Sequence, residues 1–477
     1  MKAKWKEILS PIVYLSNNWL SLAGVVIVTS ATILWLFVLP VSLRGELANP
    51  YLGILLFLIL PAAFFAGLVL IPIGMWWRSR REHRSGTYPA VFPAVGSQQP
   101  ALRRLLLFIA IASILNLAIG SQLTYQAVSY MDSVTFCGQA CHTVMQPEFT
   151  AYENAPHSRV ECVKCHIGPG ATWFLRSKLS GVRRVFALTF HTYSRPIRAP
   201  VADMRPSRET CEACHWPQKP EPARLRVISS YKEDEANTIS YTVLRMRGGN
   251  TGGIHGAHFG PGIEIHYRAA DPKRQNIPWV EYRNKNTGES TTYLAQDAKA
   301  NAVRSLPRFE MQCTDCHNRP AHTFELAERA VDRALHAGLI PVSLPYVKKK
   351  SLEILKTQYV SREDAGKKIA ALLAAYYQHE YPDLYMKHSA DIVRAGNALR
   401  DIYNRNIFPE MNVDWGTYLN NIGHTDFPGC FRCHDEAHVA GQKSITQNCE
   451  ACHQMLAVDE AAPEILKTLG METNVAH

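Results

Sequence analysis

The chain has 477 residues, a formal net charge of +10, 47% hydrophobic residues and 12 cysteines. That length exceeds an ordinary single domain, so two or three folding units are expected. A positive balance of this size would suit nucleic acid, but much of it crowds one short loop between apolar segments, where a different cause explains it.

From the N-terminus, three stretches are long and uncharged enough to cross a bilayer. No charge lies between Glu7 and Arg44, and the apolar part runs from Trp19 to Leu43. Leu47 to Trp77 is likewise uncharged and holds Pro61 and Pro72, which spanning helices tolerate as kinks. Leu105 to Met131 is the third. A buried soluble helix would need every face covered, and helices this long without a polar stripe seldom achieve that. Lys2, Lys4 and Lys6 precede the first span, and Arg78, Arg80, Arg81, Arg84, Arg103 and Arg104 crowd the link between the second and third. Arg44 and Glu46, in the first link, cancel. Basic loops stay inside, so the N-terminus is expected in the cytoplasm and everything after the third span in the periplasm. No A-x-A-like site follows the first span, which argues against a cleaved signal peptide. The run Lys348-Lys349-Lys350 reads as a solvated helix start, and no nucleic-acid partner is expected.

The cysteines begin where the third span ends, and they are paired: Cys137/Cys141, Cys162/Cys165, Cys211/Cys214, Cys313/Cys316, Cys430/Cys433 and Cys449/Cys452. A histidine follows each pair at once: His142, His166, His215, His317, His434 and His453. Five pairs read C-x-x-C-H, the attachment signature of c-type haem; the first has three intervening residues. Two thiols must reach the two vinyl groups on one porphyrin edge, while the adjacent imidazole holds the iron. Neither a disulfide framework nor a zinc site explains a histidine after every pair. Six covalent haem c groups are therefore expected. No histidine lies within a span, so the helices are expected to hold no haem b and to act as an anchor that helps form a quinone pocket.

Residues 126–220 carry three haem motifs with little regular patterning between them. From Arg224 to Leu294 the pattern alternates, as in Ile239–Leu244, Ile263–Tyr267 and Trp279–Tyr282, with Gly248, Gly249, Gly252 and Gly253 marking a loop. Helical periodicity returns at Phe324–Leu339, Ala365–Tyr381 and His388–Asn404. The fold class expected is mainly α. Three transmembrane helices lead to a haem-packed periplasmic domain with little regular structure, a small antiparallel β insertion and a helical C-terminal part. The boundaries expected are an anchor at 1–125, haems 1–3 at 126–220, the β-rich insertion at 221–310, haem 4, the helical segment and haems 5–6 at 311–457, and a tail at 458–477.

Met131 to His191, with Cys313 to His322, resembles the NapC/NirT family of membrane-anchored tetrahaem quinol dehydrogenases, including the small subunit of cytochrome c nitrite reductase. An apolar span runs straight into the first motif, Met145 closely follows His142, His157 stands five residues before Cys162, and Cys313-Thr-Asp-Cys-His-Asn-Arg-Pro-Ala-His322 carries a second histidine. The resemblance implies that the first haem faces quinol with Met145 as its axial partner. It also implies that His157 reaches the fourth haem, that His322 serves the second, and that Lys178 lies near the quinol. The chain departs from the family in its longer first motif and in Met145 standing three residues beyond His142. It has Arg184 where a member has an acidic residue, two extra haem motifs and a strand-rich insertion.

Each low-spin haem needs a second axial ligand. The candidates are His157 and His322; His424 and His438, which flank the fifth motif; and His255 with His258 as the source of one more. His336 and His379 fall in helical runs and read as structural. The function expected is electron transfer at the bacterial cytoplasmic membrane between the quinol pool (menaquinol or another quinol) and periplasmic redox proteins such as other multihaem cytochromes, as in anaerobic respiration. Quinol dehydrogenase activity and a place in a larger complex belong to the same reading. The alternatives are a terminal reductase of a small nitrogen or sulfur oxyanion, and the reverse route from a periplasmic donor to quinone.

Overall fold

The computed structural model describes residues 10–43, 59–92, 128–140, 142–168, 186–201, 204–216, 222–249 and 252–471, with scattered positions at 110–126 and 173–184. The chain forms two compact units, Met1–Ala140 and Cys141–His477.

In the first unit, α1 (Trp19–Leu43) and α2 (Leu60–Arg84) pack together. Small residues let their backbones touch. A Cβ on Gly24 would stand 2.7 Å from the Gly67 carbonyl oxygen, and one on Gly67 would stand 2.9 Å from that of Gly24. Ser21 donates to the Ile71 carbonyl at 2.9 Å, a cross-helix bond of the kind that holds apolar helices without a hydrophobic driving force. The outward side chains Leu22, Val25, Val26, Phe65, Leu68, Val69 and Ile73 are exposed, as lipid-facing positions would be. Among the described residues, Leu60–Arg84 is long and apolar enough to span a membrane. Ser10–Ser16 with Trp19–Thr32, bent by 88°, adds a second if the pair is one span. The helix α2 thus ends later than the expected Leu47–Trp77, running on through Arg78–Arg84. Arg78 is satisfied there by the carbonyls of Tyr14 and Asn17 and lies 4.3 Å over the Tyr14 ring. The expected third span falls mostly outside the described residues, so three transmembrane helices are not established.

The second unit opens with α3 (His142–Glu153) and holds two antiparallel sheets. The first joins β1 (Arg224–Tyr231), β2 (Ile239–Met246) and β9 (His453–Glu460). The second has the order β6-β3-β4-β5-β7-β8, from β3 (Ile263–Arg268), β4 (Trp279–Asn284), β5 (Glu289–Ala295), β6 (Arg308–Glu310), β7 (His438–Ala440) and β8 (Lys443–Ser444). One small sheet was expected from residues 221–310. Both sheets in fact recruit strands from 438–460, pairings that sequence periodicity cannot announce because the partners lie far apart in the chain.

In sequence between β6 and β7, α4 (Ala327–His336), α5 (Val347–Leu355), α6 (Arg362–Glu380) and α7 (Ser389–Asn406) form a block without attachment motifs and with its own core. Ser361 caps α6 by accepting from the Asp364 amide, and Ala365, Ile369, Leu373 and Tyr377 repeat every fourth residue along its buried face. Lys348 is not solvated as the lysine run suggested. It is buried, with Nζ 2.7 Å from Asp332 of α4 and donating to the Tyr231 carbonyl. By contrast, between Ala155 and Tyr231 the sole buried described residue is Ser207. That stretch carries motifs two and three, and its described residues supply almost no side-chain core.

Candidate functional site

The attachment motifs adopt single helical turns: Cys162–His166, Ser207–Cys211, Cys313–Cys316 and Cys449–Cys452 are α-helical, and Gly429–Arg432 is a 3-10 turn. Cysteines three apart on one turn project from one side, which presents both thiols to a single edge of a planar ligand. The described cysteines are free of disulfides.

The imidazoles show what stands on the other side. His166 faces His322, His215 faces His157, His317 faces His255, His434 faces His258 and His453 faces His424. The ring centres lie 6.1, 5.9, 6.2, 5.8 and 6.2 Å apart, in that order. Two metal–nitrogen bonds of about 2 Å, with about 1.1 Å from each nitrogen to its ring centre, give about 6.2 Å across one metal ion. Each pair therefore leaves room for one iron between two imidazoles. No three His, Cys, Asp or Glu side chains converge among the described residues as a zinc site would require.

Hydrogen bonds set the tautomers. The Nδ1 atoms of His157, His258, His322 and His434 lie 3.1, 2.7, 2.9 and 2.8 Å from the carbonyl oxygens of Pro320, Ile254, Glu148 and Thr446. An Nδ1–H that donates to a carbonyl leaves the Nε2 lone pair for a metal. Burial lowers the pKa of the half-buried His258. The neutral imidazole favoured in this way is the form that binds metal.

Neighbouring motifs meet along part of the series. The turn Cys162–His166 of the second packs against Ser207–Cys211 of the third. Hydrogen bonds tie two further joints. Ser207 Oγ accepts from the Thr314 amide at 3.2 Å, and Arg432, inside the fifth motif, donates to the Asp315 carbonyl of the fourth at 2.6 Å. The third motif also meets the fourth where Gln312 Oε1 accepts from the Arg208 amide.

Several expected roles are displaced. His157 was expected at the fourth haem, but its ring neighbour is His215 of the third motif, and His317 of the fourth is faced by His255. His255 and His258 were expected to supply one ligand between them; one turn of helix, Ile254–Phe259, presents both rings to different motifs. His438 is not placed to bind iron. It is 2% exposed, with Nδ1 2.8 Å from Asp435 and Nε2 2.6 Å from the Ile277 carbonyl, so both nitrogens are engaged by protein. His336 and His379 face no motif histidine: the first packs near Tyr241 and the second pairs with Glu380. Met145 lies half-buried on α3. Lys178 and Cys141 fall outside the described residues. Sequence alone does not single out Glu148, whose side chain adjoins His322, or Arg319, which pairs with Glu148.

Residues 99–198 match the NapC/NirT cytochrome c family, N-terminal region. Over 447 residues the chain is 38% identical to the cytochrome c-type protein ImcH of Geobacter sulfurreducens, a match that covers 92% of this chain and 88% of that one. No solved structure matches it.

Proposed function

The chain belongs to the NapC/NirT cytochrome c family, and on that premise we propose that it carries six haem c groups and passes electrons from membrane quinol to a periplasmic redox protein. Membership alone makes it a membrane-associated multihaem cytochrome of electron transfer with covalently bound haem c. The observation that carries the finer reading is the set of five imidazole pairs, each spaced for one iron. Haem supplies the one-electron couple; the protein contributes position, axial ligands and burial, which set each potential.

Quinol is oxidised next to the first motif, because the apolar stretch Leu105–Met131 runs directly into Cys137. Met145 is the axial partner of His142, and Lys178 takes part in binding quinol. The exit is the sixth motif, whose His453 is paired with His424, a ring that also stacks on Phe431 of the fifth. A terminal reductase needs an iron with an open face, and the paired imidazoles of motifs two to six support transfer instead.

The test is reduction by a menaquinol analogue, followed by stopped-flow spectroscopy of the whole protein in liposomes. Met145→Ala should alter the spectrum of one haem and slow reduction by the quinol, while dithionite still reduces every haem. A wild-type protein reduced by dithionite but never by quinol would refute the reading.

A further inference from the structure

We propose that Glu148 is a positioning residue that lowers the potential of the second haem by acting through its axial ligand His322; this rests on the reading of His322 and His166 as an iron-binding pair. Glu148 lies on α3, the helix that starts at His142 and carries Met145. Its backbone carbonyl accepts from His322 Nδ1 at 2.9 Å, and its carboxylate Oε2 stands 3.4 Å from the same nitrogen. One residue thus both orients the imidazole and places a negative charge behind it.

That arrangement is unusual within the array. The Nδ1 atoms of His157, His258 and His434 meet neutral carbonyls. Among the ten paired imidazoles, His322 has the carboxylate neighbour within ion-pair distance among the described residues. The carboxylate is held rather than floating. Arg319 approaches it at 3.4 and 3.5 Å while stacking 3.8 Å over the Tyr418 ring. The Glu148 and Arg319 side chains are 10% and 11% exposed, so water screens the charge weakly.

The direction follows from charge. Ferric iron carries one more positive charge than ferrous. A carboxylate behind the imidazole makes that ligand a stronger donor, as carboxylate–histidine–metal relays do, and favours the ferric form. Arg319 moderates the effect, since its guanidinium is shared between the carboxylate and the Tyr418 ring. The second haem, kept ferric at rest, is then vacant when an electron arrives from the first.

The experiment is a spectroscopic redox titration of the full haem-loaded chain. Glu148→Gln should shift one haem toward the ferrous form, changing its ferric/ferrous ratio at fixed poise by about tenfold, which is about 59 mV for one electron. Glu148→Asp keeps the charge and should stay near wild type. His322→Met, run in parallel, should change the spectrum of one haem. Should His322→Met leave every haem unchanged, the ligand assignment fails and this proposal with it. Should it change one haem while Glu148→Gln titrates as wild type, or while Glu148→Asp shifts as far as Glu148→Gln, the electrostatic role alone is overturned.

Discussion

The placement of His157 separates this molecule from what the family resemblance implies, and it can be tested directly. In the structure its ring centre is 5.9 Å from that of His215. With about 3 Å of that span between the iron and the His215 ring centre, His157→Ala empties about 3 Å on the opposite face, room enough for carbon monoxide. The ferrous variant should bind one carbon monoxide per chain more than wild type, seen as a shift in about one-sixth of the Soret absorbance if six haems are present. Identity comes from combining variants. Cys211→Ala with Cys214→Ala removes the third haem and should abolish the extra binding. Cys313→Ala with Cys316→Ala removes the fourth and should leave it intact. Haem loss is verified by intact mass in each background. Extra binding that survives loss of the third haem and disappears with the fourth would refute the assignment and restore the expected one.

Three further outcomes are expected. Intact mass should exceed the polypeptide by six haem units; five would leave one motif, most simply the long Cys137/Cys141 one, without haem. Asp332→Ala strands the Lys348 ammonium in a site where both side chains are under 10% exposed, and should cost about 3–5 kcal/mol by chemical denaturation. Asp332→Leu combined with Lys348→Met should recover most of that loss, and a single variant within about 0.5 kcal/mol of wild type would show the pair to be solvated. Gly67→Leu cannot fit where a Cβ already stands 2.9 Å from the Gly24 carbonyl, so detergent-solubilised protein should lose about 1–3 kcal/mol. An unchanged melting temperature would mean that α1 and α2 do not pack as described.

What the sequence made legible was whatever the chain encodes locally. Covalent attachment demands two thiols and an imidazole at fixed spacing, so the motifs could be read directly, and the short helical turns follow from that spacing. Periodicity likewise located α4, α6 and α7 to within a few residues. The partners of those local features were not legible. Lys348 looked like part of a solvated run because Asp332, which neutralises it, lies on another helix. His438 looked like a ligand because it flanks a motif, but Asp435 and the Ile277 carbonyl, the latter from a distant loop, take both nitrogens. The strand β9 had no visible mate, since β2 lies some two hundred residues earlier in the chain.

The same distinction governs how the haem sites are assembled. None of the five described pairs completes itself from its own motif. His322, beyond the fourth motif, faces the histidine of the second; His157, before the second, faces that of the third. His255 and His258, between the third and fourth, face those of the fourth and fifth, and His424, before the fifth, faces that of the sixth. In the proposed ligation each iron would therefore tie together segments that the covalent chain alone leaves apart. Among the described residues between Ala155 and Tyr231, Ser207 alone is buried. Because a ligand set drawn from distant segments does not exist in the unfolded chain, the free energy of iron ligation would become free energy of folding. In the proposed ligation, the geometry that brings successive haems together is thus also what makes this part of the chain fold.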